Sequence, residues 1–314
     1  MATRIAWLLN LDADRELHDQ VGYRVSRIDA ARVAELRASI ADLIAADDIV
    51  LGDDTDAATL AATGTAFTIQ AFCPTPSALA RIEALGLPVP HAPALSVLRA
   101  VNDRSFCAQL GHGLAGSCFA RDMLTLEAHL KHPSPTGIHV IKRAFSFAGR
   151  EQRRVTHGVL DDSTRGFCER SFAHGEGLQV EPWVERMADF CRHGFLTRQG
   201  ALLIGAAREQ RCDAFGRFLG MSTTPAQLTS DEDALLRDAL VQTGSALFAA
   251  GYCGPFGIDA FRYRHVDGGT AFNPRCEINA RFTMGYPRDL LNDGLAGDPI
   301  GFAEPVPNQL EPVL

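Results

Sequence analysis

The side chains best suited to chemistry lie in two short runs near the end of the sequence. The first run is Gly257-Ile258-Asp259-Ala260-Phe261, and the second spans residues 272–285 with the sequence FNPRCEINARFTMG. Between them, Asp267-Gly268-Gly269 predicts a β-hairpin turn, because such a turn needs positive φ angles that glycine adopts at little cost. A hairpin centred on this turn places Asp259 opposite residue 276 or 277.

Side-chain alternation predicts what each face of this hairpin carries. Successive residues of a strand point to opposite faces, so one face is expected to hold the polar residues Arg275, Glu277, Asn279 and, further along, Arg281. The other face is expected to pack into the core through Cys276, Ile278 and Ala280. Carboxylate and amide oxygens beside arginine suit a hard cation that bridges phosphate oxygens, as Mg²⁺ does. A network of surface ion pairs on an edge hairpin has the same composition and stays an alternative.

Composition and charge limit the classes of partner. The 314 residues allow two or three packed units. The net charge is −8, from 30 basic and 38 acidic residues, which predicts no basic surface for nucleic acid or an anionic membrane. The apolar runs are shorter than the ~20 residues of a membrane-spanning helix, and residues 5–9 are too short a run for a secretion signal.

The cysteines indicate the compartment. All eight are scattered through apolar segments, and no two form a Cys-x-x-Cys pair. Reduced cysteines in a core show this distribution, which predicts a cytoplasmic protein. The spacing of the cysteines and of the ten histidines does not support a zinc site.

Strands alternating with helices predict a small open α/β domain over residues 1–95. Its expected strands are residues 5–10, 48–52 and 66–72, and its expected helices are residues 29–46, 57–62 and 74–85. A proline-rich stretch from Pro88 to Pro93 marks the exit from this domain. No glycine-rich dinucleotide motif follows the first strand, so a dinucleotide site is not expected here.

The rest of the chain contains further helices and strands. Helical patterns cover residues 94–111 and 121–131, and a clear strand ends at Lys142. An inward-facing lysine on so apolar a strand is costly unless it meets an anion. Residues 230–233, Ser-Asp-Glu-Asp, predict the start of a long helix that ends at Gly251.

Four separated segments, in this order, resemble the ATP-grasp superfamily over about residues 100 to 285. They are Asn102-Asp103-Arg104, the strand ending at Lys142, Glu181-Pro182-Trp183-Val184, and the hairpin with its Glu-x-Asn-x-Arg motif. The resemblance implies an α/β protein with α+β lobes and the ATP-grasp fold. It implies an N-terminal α/β domain (1–95), a small lobe with the phosphate loop (96–184) and a C-terminal lobe with the metal site (185–314).

The resemblance also implies which residues meet the phosphates of ATP. Arg104 stands where the family has a lysine, and its planar guanidinium replaces a point charge. Lys142 matches a second phosphate lysine. Residues 146–150 take the place of the family's glycine-rich loop, with Ser146 and Gly149 implied as contacts. Gly149 is the only glycine of this loop.

The hinge between the lobes is implied to bind the nucleoside. Glu181, Trp183 and Val184 match the segment that meets the adenine, although Trp183 is expected to lie in the core more than to stack on the base. Asp189 is placed like the acidic residue that binds the ribose hydroxyls, with Glu185 as an alternative.

Metal binding and catalysis are implied for the hairpin and its surroundings. The implied metal ligands, for Mg²⁺ and also suited to Mn²⁺, are Asp259, Glu277 and Asn279. The implied catalytic residues are Arg281, Lys142 and Arg275. Of these, Arg281 matches an arginine that steadies the transferred phosphate in several branches of the family.

The resemblance implies an ATP-dependent ligase that activates a carboxylate as an acyl phosphate for attack by an amine, with release of ADP. The default substrates are an amino acid or a small peptide, and a homodimer stays open. A regulatory ATP-binding module without ligase chemistry is the alternative. Arg104 and the glycine-poor loop favour the module, whereas the complete set of metal ligands favours the ligase.

Overall fold

A computed structural model describes residues 4–19, 23, 27–40, 44–52, 54–62, 67–145, 152–213, 216, 218–222, 225–286 and 300–302. The loop predicted to contact phosphates through Ser146 and Gly149 lies outside these residues.

The first unit is the parallel sheet predicted for the N-terminal segment. Its strands, in the order β2-β1-β3, are β1 (Arg4–Leu8), β2 (Ile49–Val50) and β3 (Phe67–Ala71). Its helices are α1 (Ala13–Asp19), α2 (Arg27–Ser39), α3 (Ala57–Ala62) and α4 (Pro76–Ala84). Helix α1 was not predicted, and it carries Asp14, which lines the main cleft of the molecule.

A bend between two helices after the proline-rich stretch positions Arg104. Helix α5 (Leu95–Asn102) ends at Asp103, and α6 (Arg104–Gln109) begins immediately afterwards. The predicted single helical stretch over 94–111 is therefore wrong. Asp103 takes an extended conformation and its carboxylate accepts a hydrogen bond from the Ser105 N–H at 2.7 Å, which caps α6.

The small lobe is a four-stranded antiparallel sheet covered by two helices. Its strands, in the order β4-β7-β5-β6, are β4 (Cys118–Ala120), β5 (Ile138–Arg143), β6 (Gln152–Thr156) and β7 (Leu178–Pro182). The helices are α7 (Met123–Leu130) and α8 (Asp162–Ala173). Because β5 and β7 are neighbours, Lys142 and the hinge residue Glu181 come from adjacent central strands.

The third unit is a larger antiparallel sheet packed on a long helix. Its strands are β8 (Arg186–Leu196), β9 (Ala201–Ile204), β10 (Arg208–Cys212), β11 (Phe218–Met221), β12 (Gly254–Arg264), β13 (Thr270–Asn279) and β14 (Ile300–Gly301). The main order is β11-β10-β8-β12-β13. Helix α9 (Ser230–Ala249) begins with a capping box formed by Thr229 and Glu232. Its N-cap, Thr229, lies one residue before the predicted start of the helix. No helix in the described part of the chain is both long and apolar enough to cross a membrane.

The predicted hairpin is formed by β12 and β13, with Asp259 paired to Glu277. The turn is at Asp267–Gly269, where Gly268 has a φ of 84°. Beyond the Asp259–Glu277 pair the register shifts, because Phe261 pairs with Asn273, so residues 274–276 lie opposite Ala260. This bulge has a local cause. Pro274 has no N–H for the ladder, and the Arg275 N–H bonds to the side chain of Asn273 at 3.1 Å.

The bulge reverses two predicted orientations. Arg275 does not share the face of Glu277. It is fully buried, and its guanidinium donates to five protein oxygens, on Leu110, Gly111, Ala239, Gln242 and Thr243, at 2.8–3.3 Å. Cys276, predicted to lie in the core, instead lines the cleft and packs beside Leu114, Val184 and Phe261. Arg275 thus links β13 to α9 and to the end of α6, and its contacts are structural.

Replacing Arg275 should destabilise the fold. We expect Arg275→Met to lower the free energy of unfolding by about 3 kcal/mol or more, because it leaves several buried acceptors without a donor. Urea denaturation followed by circular dichroism measures the change. The matched control is Arg264→Met, which removes a half-exposed ion pair with Glu185 and should change stability by less than about 0.5 kcal/mol. Equal effects of the two substitutions would contradict the structural role.

Candidate active site

A deep cleft lies between the small lobe and the large sheet, beside the N-terminal unit. It encloses about 1500 Å³ including its open mouth. Its walls include Lys142 and the hinge on one side and the β12–β13 hairpin on the other, with Phe72 and Asp14 at the N-terminal unit. A smaller cavity adjoins it at Asp14 and Arg104. The described residues predicted for the nucleotide and the metal therefore line one continuous space.

The hairpin presents oxygen atoms to this cleft. Asp259 accepts hydrogen bonds from the Asn279 amide at 3.1 Å and from the Gln210 amide at 2.7 Å. Glu277, opposite Asp259 in the ladder, pairs instead with Arg104 at 2.9 Å. Two carboxylates and the amide of Asn279 thus line the same part of the cleft. Gln210, on β10, was not predicted, because its strand is distant in sequence.

The two carboxylates differ in their electrostatic surroundings. Burial, and after it the charge of Glu277, raises the pKa of Asp259 to about 7. Burial also acts to raise the pKa of Glu277, but Arg104 and Lys142 outweigh it and lower that pKa. Among the described residues, therefore, no cation lies close enough to Asp259 to offset its burial. A divalent cation at this position would supply that charge.

The donor set fits a cation that also binds a ligand. Among the residues that the structure describes, no three His, Cys, Asp or Glu side chains are grouped closely enough to hold a metal by themselves. Asp259, Glu277 and Asn279 offer oxygen atoms only, which suits Mg²⁺, a cation that commonly takes its remaining ligands from phosphates and water. These three residues would hold Mg²⁺ together with phosphate oxygens.

Arg104 is held by the bend between α5 and α6. Its backbone N–H donates to the Ala144 carbonyl, and its Nε donates to the Arg143 carbonyl, both at 3.1 Å. Its Nη2 reaches Glu277. Only about 11% of this side chain is exposed, so Arg104 is largely buried although it begins a helix.

Lys142 projects from β5 and donates to Glu181 of β7 at 2.6 Å. The two side chains are 14% and 13% exposed. A buried ion pair is stable only when both charges have partners, so either ion on its own would be strongly disfavoured. Both side chains line the cleft, and the charge of Lys142 helps to lower the pKa of Glu277 on the opposite wall.

The backbone of Val184 is the part of the hinge that faces the cleft and is available to a ligand. The Trp183 N–H donates to Ile138 at 2.8 Å, and the Trp183 carbonyl accepts from the Thr136 hydroxyl at 2.8 Å. Its ring lies 3.8 Å from the guanidinium carbon of Arg154, so that face of the indole is covered. The described residues form no hydrogen bond to the backbone of Val184, which is next in the chain and lines the cleft.

Of the two acidic residues considered for the ribose, Asp189 lines the cleft. It pairs with Arg186 at 2.9 Å, and the Arg186 guanidinium also lies over the Phe261 ring at 4.0 Å. Glu185 pairs with Arg264, with 64% of its side chain exposed, and lines a separate cavity behind the hinge. Asp189, unlike Glu185, therefore lies in the same cleft as the other described residues predicted for the nucleotide.

Arg281 reaches the N-terminal unit, which sequence reasoning did not anticipate. Its Nη2 donates to Asp14 of α1 at 2.7 Å, and its Nη1 donates to Asn102 at 3.1 Å. Asn102 also accepts from the Ala280 N–H at 2.9 Å. Burial raises the pKa of Asp14 although Arg281 opposes the shift. No local sequence signal marked Asp14, because its partner is hundreds of residues away.

The Lys142–Glu181 pair should show strong energetic coupling. A double-mutant cycle of Lys142→Met and Glu181→Gln is expected to give a coupling of about 1–3 kcal/mol in urea denaturation, since each single variant leaves a poorly solvated partner. The exposed pair Arg165–Glu127, with the similar separation of 2.7 Å, is the control and should give less than about 1 kcal/mol. A coupling no larger than that of the control would show that Lys142 and Glu181 are well solvated.

No protein-family model and no curated protein sequence matches this chain. Solved structures do resemble it. Rhizobium etli pyruvate carboxylase has a TM-score of 0.52 at 12% identity, over 90% of this chain and 26% of its own. Campylobacter jejuni biotin carboxylase has a TM-score of 0.51 at 15% identity, over 90% of this chain and 66% of its own. The biotin carboxylase domain of Hydrogenobacter thermophilus 2-oxoglutarate carboxylase has a TM-score of 0.50 at 13% identity, over 90% and 65%.

Identity this low establishes the fold alone, and the chain spans about two thirds of both biotin carboxylase structures. The similarity extends over the N-terminal sheet, the small lobe and the large sheet together. The chain has the ATP-grasp fold.

Proposed function

We propose that this protein is an ATP-dependent ligase that activates a carboxylate by phosphoryl transfer for attack by an amine. The convergence of Lys142 and Arg104 with Asp259, Glu277 and Asn279 in one cleft carries the proposal. Proteins of similar fold are described in a β-γ-ATP complex and with MgADP, which supports ATP and Mg²⁺ as the cofactors. The proposed substrates are small molecules, with an amino acid or a small peptide as the carboxylate or the amine.

The adenine is proposed to lie against the hinge. The backbone of Val184 offers an N–H and a carbonyl that no described residue uses, and these groups match the edge of an adenine ring. Leu114 and Phe261, which pack with Val184, would contact the faces of the base. Asp189 would then accept hydrogen bonds from the ribose hydroxyls.

The chemistry needs alignment and charge neutralisation more than a nucleophilic side chain. Bound ATP would supply the phosphoryl group, and Mg²⁺ would offset its negative charge. Lys142 and Arg104 are placed to bind phosphate oxygens, and each would exchange part of its present carboxylate pairing for them. Arg281 is placed to hold the transferred group or the substrate carboxylate, beside Asp14.

One contact favours the alternative of a regulatory module. Arg104 pairs with Glu277 at 2.9 Å and so uses an oxygen of an expected metal ligand. If phosphates did not draw Arg104 away, the metal site would lack a ligand. ADP release distinguishes the two functions. Turnover that requires both a carboxylate and an amine supports the ligase, whereas tight ATP binding without substrate-dependent ADP release leaves only the module.

Glu277→Gln should remove turnover without unfolding the protein. We expect ADP release to fall by about 100-fold or more, because the carboxylate that binds the metal contributes several kcal/mol of charge stabilisation. A coupled assay in the presence of the substrates found by a screen of amino acids and short peptides measures ADP, and circular dichroism measures folding.

The matched control is Glu169→Gln, an exposed residue of α8, which should leave ADP release unchanged. Removing divalent cations with a chelator should abolish turnover in the unaltered protein as well. Unchanged turnover in Glu277→Gln would remove the metal assignment, and no MgATP binding to the unaltered protein would remove the proposed function.

A further inference from the structure

The loop after β13 holds a hydroxyl whose direction is set by a buried histidine. Thr283 lines the cleft beyond Asn279 and Arg281. His193 of β8 lies behind it, 1% exposed, with its Nε2 2.7 Å from the Thr283 Oγ1. The proposed function assigns a role to neither residue.

The surrounding strands allow little movement of this pair. Gly257 of β12 is opposite His193 in the ladder. A Cβ at Gly257 would lie 2.8 Å from His193 Cδ2 and 2.9 Å from Thr283 Cγ2, so only glycine leaves room for both side chains. The ring of Tyr286 packs on the imidazole with a centroid separation of 5.3 Å. The contact between His193 of the sheet and Thr283 of the loop is therefore closely packed.

The surroundings of the imidazole select one tautomer. The Nδ1 atom of His193 is buried and has no hydrogen-bond partner among the described residues. A buried N–H without an acceptor is rarer and more costly than an unused ring lone pair. Burial, with a smaller contribution from Arg208, also lowers the pKa of His193 to about 3, so the ring is neutral. Its single proton is accordingly on Nε2, which donates to Thr283.

Thr283 then has both of its acceptor positions filled. A hydroxyl has two lone pairs and one proton to donate. The Thr283 Oγ1 accepts from His193 Nε2 at 2.7 Å and from the Gly285 N–H at 3.3 Å. None of the described residues accepts the proton of this hydroxyl, and Thr283 faces the cleft. The hydroxyl is thus oriented as a donor to whatever occupies the cleft.

We propose that Thr283 donates a hydrogen bond to an anionic oxygen of the ligand, on a phosphate or a carboxylate, beside Arg281. His193 is a positioning residue that directs this donor. The Phe282 N–H donates to the Phe72 carbonyl at 3.0 Å, which holds the loop against the N-terminal unit. The anion would therefore lie at the end of the cleft away from the hinge. This inference rests on the proposed function, because it names the ligand chemistry of the same site.

Three variants test the donor. Thr283→Val removes the hydroxyl with little change of shape, Thr283→Ser keeps it, and Thr270→Val is the control at the exposed start of β13. Titration calorimetry measures inorganic phosphate binding in the presence of MgADP, and steady-state kinetics measure the KM and kcat for the carboxylate substrate. Thr283→Val should weaken the binding of one of these anions about tenfold to a hundredfold, as expected for the loss of a hydrogen bond to a charged group. Thr283→Ser and Thr270→Val should bind like the unaltered protein.

The arm that responds identifies the source of the anionic oxygen. A loss in phosphate affinity indicates the transferred phosphoryl group, and a rise in KM at constant kcat indicates the substrate carboxylate. Nitrogen NMR of the imidazole in the unaltered protein, which needs no substrate, should show the proton of His193 on Nε2.

If MgADP binds, a proton on His193 Nδ1 would overturn the inference. Equal binding of both anions by Thr283→Val and Thr283→Ser would also overturn it. Absence of phosphate binding to the unaltered protein, with no effect on the KM for the carboxylate, would also overturn it. Failure of MgADP to bind at all would instead count against the proposed function.

Discussion

The pairing of Asp259 with Glu277 across β12 and β13 is the constraint on which the rest of the site depends. It sets two carboxylates side by side at the floor of the cleft. The bulge immediately beyond this pair turns Arg275 to the opposite face, where it binds α9 and the carbonyl groups at the end of α6. Helix α6 begins with Arg104, whose guanidinium pairs with Glu277. The bulge in the edge strand β13 thereby links the carboxylates Asp259 and Glu277 to the helix that carries Arg104.

Cations and carboxylates in the cleft are paired with each other, both within one unit of the fold and between units. Lys142 pairs with Glu181 within the small lobe, Arg104 with Glu277 across the cleft, and Arg281 with Asp14 from the N-terminal unit. A buried charged side chain that loses its partner strongly destabilises the protein. Under the proposed function, a triphosphate would take over the cations of these pairs, and a divalent ion would take over the carboxylates.

Short sequence patterns correctly predicted the features that depend on neighbouring residues. The Asp-Gly-Gly turn, the alternation of Glu277 with Asn279, and the cap that begins α9 each depend on residues close together in sequence. The bulge also had a signal, because Asn273-Pro274 is a dipeptide that disfavours regular pairing. Strict alternation through this dipeptide predicts the wrong faces for Arg275 and Cys276. The bend at Asp103 was missed for a similar reason, since a continuous helical pattern obscured a good capping residue.

The sequence alone determined the turn, the order of the segments and the types of residue that can meet a nucleotide and a divalent ion. Only the tertiary structure decided which of them share a space. Asp14, Gln210 and Thr283 enter the cleft from a short helix, a distant strand and a loop, and no pattern along the chain relates them to Asp259. The physical reason is that hydrophobic periodicity specifies which face of an element is buried, whereas the partner of a buried charge is selected by packing between elements far apart in sequence.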